Sequence, residues 1–280
     1  MSLRKLPEIR ADARFDCLQF DLRTDAVERW KPEVRAASNG DDATISIYGP
    51  IGATWDGEGV TVKRIASALR SIGNKAVTVN INSPGGDFFE GVAIYNTLRE
   101  HKGEVTINVM GLAASAASVI VMAGDEILMG EGSFLMIHNA WGVAIGNRHD
   151  MAEAAAFLEP FDAEMAALYA SRTGMKAADV VTLMDAETWI GSARAVEDGF
   201  ADGLLDRDFA TTEASASGER KALALVEAAM AKSGYSRSQR RDTLKSLFSG
   251  KPSAAEPAMP SAGNADAALI SGLISTINSR

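Results

Sequence analysis

Apolar positions along the chain fall into short β-branched runs that alternate with longer stretches at helical spacing. Residues 43–48, ATISIY, alternate and end at Gly49-Pro50, which predicts a strand and a turn. Val60, Ile65, Ala68 and Leu69 lie close to one helical face over 59–71, and Gly73-Asn74 stops that helix. A second strand is predicted at 76–81 (AVTVNI), then a helix over 88–101 closed by Gly103. The apolar, β-branched run 105–110 reads as a buried strand that Gly111 breaks, and the Ala, Ser, Val and Ile residues up to Ala123 read as a buried helix. Two short strands follow at 126–129 and 134–137. A long Ala-rich helix is predicted over 148–173, with Pro160 kinking or dividing it. Short helices are predicted over 177–184 and 192–198, the second with Ser192 as N-cap.

Strand, helix, strand, helix in this order predict parallel strands joined by right-handed crossovers, an α/β layered domain. Its expected bounds are 41–209. Before it, residues 1–40 are polar and charged, an arm or edge segment that carries Trp30 and Pro32. After it, 210–280 read as an extension: an amphipathic helix over 219–232, then a basic helix over 236–248 with Arg237, Arg240, Arg241 and Lys245. The low-complexity stretch 252–264 is expected to be disordered, and 265–277 to form a terminal apolar docking helix.

Composition narrows the function classes. An apolar fraction of 46% is that of a globular protein, and a net charge of −9 argues against nucleic acid as the main partner. One cysteine, Cys17, excludes an internal disulfide and fits a reducing compartment, with Cys17 itself a small core residue. The first 15 residues lack the apolar stretch of a signal peptide, and no run of 18 apolar residues exists, so no membrane span and a cytoplasmic location are expected. Three histidines, His101, His138 and His149, are too few for a His-based metal site, and no metal or cofactor is implied.

Three stretches carry candidate chemistry. Ser115 falls among small residues at the junction of a strand and a helix, where unpaired N–H groups and the positive helix end favour an oxyanion. It is a candidate nucleophile, or else a serine in a small-residue packing seam. NSPGGD, residues 82–87, follows a strand, and its two glycines let the backbone approach a bound chain and turn N–H groups towards it. No GxxxxGK[ST] or GxGxxG is present to suggest a phosphate loop. His138 closes the strand FLMI, at the end where layered α/β folds place catalytic groups; the plain alternative is a half-buried histidine.

Taken together, Ile81-Asn-Ser-Pro-Gly-Gly86, Met110-Gly-Leu-Ala-Ala-Ser115, Met136-Ile-His138 and Ala195-Val-Glu-Asp-Gly199 resemble the ClpP family of serine peptidases, in unbroken order over about residues 43–206. The resemblance implies a ClpP/crotonase-like layered β-α-β superhelix whose 148–173 region is a handle helix. It implies Ser115 as nucleophile, His138 as general base, and the amides of Gly86 and Ala116 as oxyanion donors. The third triad position, usually Asp, falls on Glu187 within Asp185-Ala-Glu-Thr-Trp189, with Asp185 as the alternative. It further implies protein or peptide substrates and homo-oligomeric rings, heptameric or stacked, with or without an ATPase partner. The Glu-Thr-Trp turn and the long extension are most similar to the phage head maturation proteases of this family. These act on capsid or scaffold proteins, in the host cytoplasm or inside a procapsid. The rival expectations are a crotonase-fold acyl-CoA enzyme and a catalytically latent ring-forming scaffold. A Ser/Lys peptidase would leave His138 unexplained and finds no lysine between Gly103 and Lys176.

Overall fold

The computed structural model of the chain describes residues 19–20, 22–32, 34–36, 43–54, 57, 59–205, 210–212 and 217–249. Cys17, the stretch 252–264 and the expected helix over 265–277 lie outside them. The chain divides into two compact units, 1–245 and 246–280; the second holds only the end of the last described helix.

The β-branched runs become strands and the spaced runs become helices, in this order: β1 (Gln19–Phe20), α1 (Thr24–Arg29), β2 (Val34–Ala36), β3 (Thr44–Tyr48), α2 (Val62–Ile72), β4 (Val77–Ser83), α3 (Phe88–Arg99), β5 (Val105–Ala114), α4 (Ala116–Val121), β6 (Glu126–Met129), β7 (Phe134–Ile137) and β8 (Gly142–Val143). Then come α5 (Arg148–Thr173), α6 (Ala177–Asp185), β9 (Thr188–Gly191), α7 (Ser192–Glu197), β10 (Gly203–Leu204), β11 (Ala210–Thr212), α8 (Ser217–Lys232) and α9 (Arg237–Ser249). A parallel sheet in the order β10-β6-β5-β4-β3 forms the centre, as the alternation predicts. β7 joins β5 in parallel, and β9 joins β7 antiparallel. The strands at 126–129 and 134–137 and the helix over 148–173 fall where the pattern puts them.

Gly111 does not break its strand. β5 runs on for ten residues to Ala114, because the chain changes neighbours instead of stopping: residues 106–109 pair with β6 and residues 112–114 with β7. The register against β4 slips between Ile81 and Ser83, leaving a bulge beside Gly111. The Asn82 side chain repairs the ladder there, its Oδ1 accepting from the Leu112 amide at 3.2 Å. The helix that follows is correspondingly short, six residues. Pro160 lies inside α5 without dividing it, and Gly191, not Ser192, caps α7.

Alternating side chains give the sheet two apolar faces. Val109, Ala113, Leu135 and Ile137 face the main core with helices α2 to α6. Leu112, Ala114 and Met136 face the other way, against Leu22, Ala26, Val27 and Trp30 and against Ala224 and Ala228 of α8. The expected arm is therefore core structure in its described part: Trp30 is 1% exposed, with its indole N–H donating to the Asn82 carbonyl at 3.1 Å. β2 pairs antiparallel with β11, so the segments flanking the central sheet join each other on this second face. In the basic helix, Arg240 and Leu244 are buried and Arg237 pairs with Asp87 at 2.5 Å, while Arg241 and Lys245 stay exposed.

Candidate active site

The site forms where β4, β5 and β7 end. Ser115 follows β5 and precedes α4, its amide bonded to the Met136 carbonyl at 2.9 Å, with φ 56° and ψ −124°. A non-glycine residue holds such a left-handed conformation only when its surroundings over-determine it. Here two strand ends and a helix start do so, and Oγ stands clear of both. His138 is the next residue after β7, and its Nε2 lies 2.7 Å from Ser115 Oγ. His138 is 6% exposed, and burial pushes its pKa down from 6.5 to about 4. The Arg23 charge pushes the same way, while Glu187 and Asp25 oppose it.

The glycine loop faces this pair. Ile51 donates to the Gly85 carbonyl at 2.8 Å and accepts from the Asp87 amide at 3.0 Å, a parallel bridge that leaves the N–H of Gly86 on the opposite side. That side, with Ala116, Ser115 and His138, lines the pocket. The Ala116 amide opens α4, so it too has no intrahelical acceptor. Both glycines are required: a Cβ on Gly85 would stand 2.8 Å from that of Ser115, and one on Gly86 2.2 Å from the Ile51 carbonyl oxygen. Their φ values, 89° and 146°, demand the same. Asp87 then caps α3 through the Glu90 amide at 3.1 Å, which fixes where the loop ends.

Neither carboxylate expected at the third position, Glu187 or Asp185, bonds the imidazole. β9 pairs with β7 so that Thr188 faces Ile137, and Glu187 stands just before it, close enough for its charge to act on His138. Glu187 is held there in a turn with φ 48°, and both its oxygens bond Arg23, the second at 2.7 Å from Nη2. Asp185 accepts from Asn139 Nδ2 at 2.8 Å. Among the described residues, His138 hydrogen-bonds Ser115 alone. Sequence reasoning misses Arg23, which carries no periodic or motif signal and arrives from 164 positions away. It also misses Asp162, which accepts from the Ala140 amide at 2.5 Å and ties α5 to the segment after His138. Tyr169, bonded to Ser118 Oγ at 2.8 Å, does the same for the start of α4. Among the described residues no cluster of His, Cys, Asp or Glu could hold a metal ion, and no helix is long and apolar enough to cross a membrane.

Fold and site define a layered α/β chain that presents a hydrogen-bonded serine and histidine beside a glycine loop at the ends of parallel strands. The family model for Clp protease matches residues 41–208, and the chain belongs to that family. Among curated relatives, an ATP-dependent Clp protease proteolytic subunit from Bacteroides fragilis is 32% identical over 136 residues, 47% of this chain and 64% of the relative. That of Chlorella vulgaris is 30% identical over 131 residues, 46% and 65%. ATP-dependent Clp protease proteolytic subunit 1 of Mycobacterium tuberculosis is 31% identical over 144 residues, 50% and 72%. The chain thus spans just under two thirds of the first two. A ClpP1 mutant structure from Listeria monocytogenes superposes with a TM-score of 0.52 at 24% identity, over 60% of this chain and 94% of that one, a likeness of fold.

Proposed function

We propose that the chain is a ClpP-type serine endopeptidase with Ser115 as nucleophile and His138 as general base. The observation that carries this is the 2.7 Å hydrogen bond between Ser115 Oγ and His138 Nε2, next to the unspent amides of Gly86 and Ala116. His138 takes the Oγ proton as Oγ attacks a substrate carbonyl, and the two amides receive the negative charge that develops on its oxygen. Each such donor lowers the barrier by about 3 kcal/mol. Glu187 is the proposed third member: its charge acts on His138, with both its oxygens on Arg23 in this structure; Asp185, which accepts from Asn139, is the alternative. The Ser–His bond also favours acyl transfer over a crotonase-type reaction, which needs neither residue.

The finer reading is a head maturation protease that assembles into rings, heptameric or stacked, and cleaves capsid or scaffold proteins in the cytoplasm or a procapsid. Its supports are the Glu-Thr-Trp turn and the helices that follow the family-matched span.

A fluorophosphonate probe followed by mass spectrometry tests the chemistry. One adduct on Ser115 is expected in the wild type, and none in Ser115→Ala or in wild-type protein unfolded before exposure. A folded wild type that never labels would refute the nucleophile.

A further inference from the structure

The loop that carries the Gly86 amide is soft by composition. Gly85 and Gly86 have no Cβ to restrict them, so neighbouring contacts must set the direction of the N–H between them. Three contacts do so. Upstream, Ser83 Oγ donates to the Gly49 carbonyl at 2.6 Å and accepts from the Gly85 amide at 3.2 Å. In the middle stands the Ile51 bridge. Downstream, Asp87 commits both carboxylate oxygens: Oδ1 accepts from the Glu90 amide at the start of α3, and Oδ2 pairs with Arg237 of α9 at 2.5 Å. The first two contacts lie within the span that matches the family model, and the third reaches outside it.

Gly86 is a wall between two spaces. On one side it lines the Ser115 pocket; on the other it lines a small hollow with Ile51, Asp87, Glu227, Arg237 and Arg240. Helices α8 and α9 thus back the loop from behind. α9 is firmly presented. Its start is capped reciprocally, the Ser236 amide donating to Gln239 Oε1 at 2.9 Å and the Gln239 amide to Ser236 Oγ at 3.3 Å. Arg240 and Leu244, one and two turns on, are buried, and α8 sends Ala224 and Ala228 into the second face of the sheet. A guanidinium at the first position of so packed a helix is a fixed point for Asp87.

We propose that Arg237 is a positioning residue for the oxyanion loop: through Asp87 it holds the Gly86 amide towards the place where negative charge develops. The helices that follow the family-matched span are then part of what makes the site work. This rests on the peptidase reading given above. The Asp87 side chain is 12% exposed and that of Arg237 48%, so the pair adds little to overall stability. Without Arg237 the Asp87 carboxylate loses one of its two holds, and the glycine peptide behind it is free to turn. The Ser115–His138 bond lies on the other side of Gly86 and is untouched.

The test uses the full chain and the variants Arg237→Ala, Arg237→Lys, Asp87→Asn and the double variant Asp87→Asn with Arg237→Ala. Fluorophosphonate addition to Ser115, followed against probe concentration, separates probe binding from the maximal rate, and the phosphoryl oxygen of the probe takes the place of the oxyanion. Arg237→Ala is expected to lower the maximal rate about fivefold, part of the ~hundredfold that loss of a whole donor costs. Its half-saturating concentration and the acid inflection of its rate should match the wild type, with Tm within about 2 °C. Arg237→Lys keeps the charge and should restore most of the rate. Asp87→Asn keeps an acceptor for the Glu90 amide and loses the ion pair, so it should match Arg237→Ala, and the double variant should be no slower than either. A maximal rate within about twofold of wild type in both single variants, or losses that multiply in the double, would overturn the positioning role and leave the peptidase reading standing. Should Arg237→Ala fail to fold, Asp87→Asn against wild type decides in the same way. A folded wild type without any Ser115 adduct would overturn the peptidase reading, and the positioning role with it.

Discussion

His138 sets the acid limit of the proposed chemistry. A general base must be neutral to accept the Ser115 proton, and burial keeps this imidazole neutral down to a pKa of about 4. The adduct-forming rate should therefore hold from neutral pH to near pH 5 and fall through about 4. An inflection at the ordinary 6.5 would contradict the burial. Arg23→Ala removes a charge that lowers the value and should move the inflection up; Glu187→Gln removes one that raises it and should move it down. Stability follows the same sign. As pH falls below 6.5 the unfolded chain binds a proton that folded His138 refuses, so this contribution is intact above 6.5 and is lost towards pH 4. That Ser115, His138, Gly86 and Ala116 meet in one pocket was legible because each stands at a motif or element junction. Neither carboxylate expected at the third position bonds the imidazole: Glu187 is held by Arg23 and Asp185 by Asn139, contacts that no local pattern announces. Arg23 left no trace at all in its local sequence.

Among the elements, β-branched runs and helical spacing identified the central strands and helices because local propensity and burial agree there. Disagreement fell at Gly111, inside β5, and at Trp30, on the second face of the sheet. Glycine ends a strand when nothing replaces the lost pairing; here β7 and the Asn82 side chain replace it, and no local pattern announces either. Trp30 looked like part of a polar arm because its partners, Ala224 and Ala228, lie nearly two hundred residues away. Its burial predicts that Trp30→Ala costs about 3–5 kcal/mol. For a unit of this size that lowers Tm by about 10 °C, readable by calorimetry. A change below about 2 °C would mean that α1 is not part of the folding unit. Gly86 is less tolerant still. Gly86→Ala places a Cβ 2.2 Å from the Ile51 carbonyl oxygen, so Ser115 labelling should fall at least tenfold even where the variant stays folded.

At the scale of the whole molecule, the described surface carries apolar side chains that a lone chain has little reason to show. Ile145 is 75% exposed, Phe134 43% and Met151, at the start of α5, 39%. Light scattering coupled to size exclusion should return several chain masses per particle, and Ile145→Asp should lower that number. A wild type that stays monomeric at every concentration would remove the ring from the proposed function. The flanks of the family-matched span are not appendages either, since β2 pairs with β11 and α1 packs on α8 across the second face of the sheet.

That last contact has a consequence in time. The amine of Lys221 meets the carbonyl of Glu28 across 193 positions of sequence. A growing polypeptide leaves the ribosome in order, and the early residues wait for the late ones. Leu22, Val27 and Trp30 find their full apolar cover only once α8 has emerged, after every residue of the Ser115 pocket. The second face of the sheet is thus completed last, near the end of synthesis, and a nascent chain interrupted before α8 would carry every residue of the Ser115 pocket with that face still uncovered.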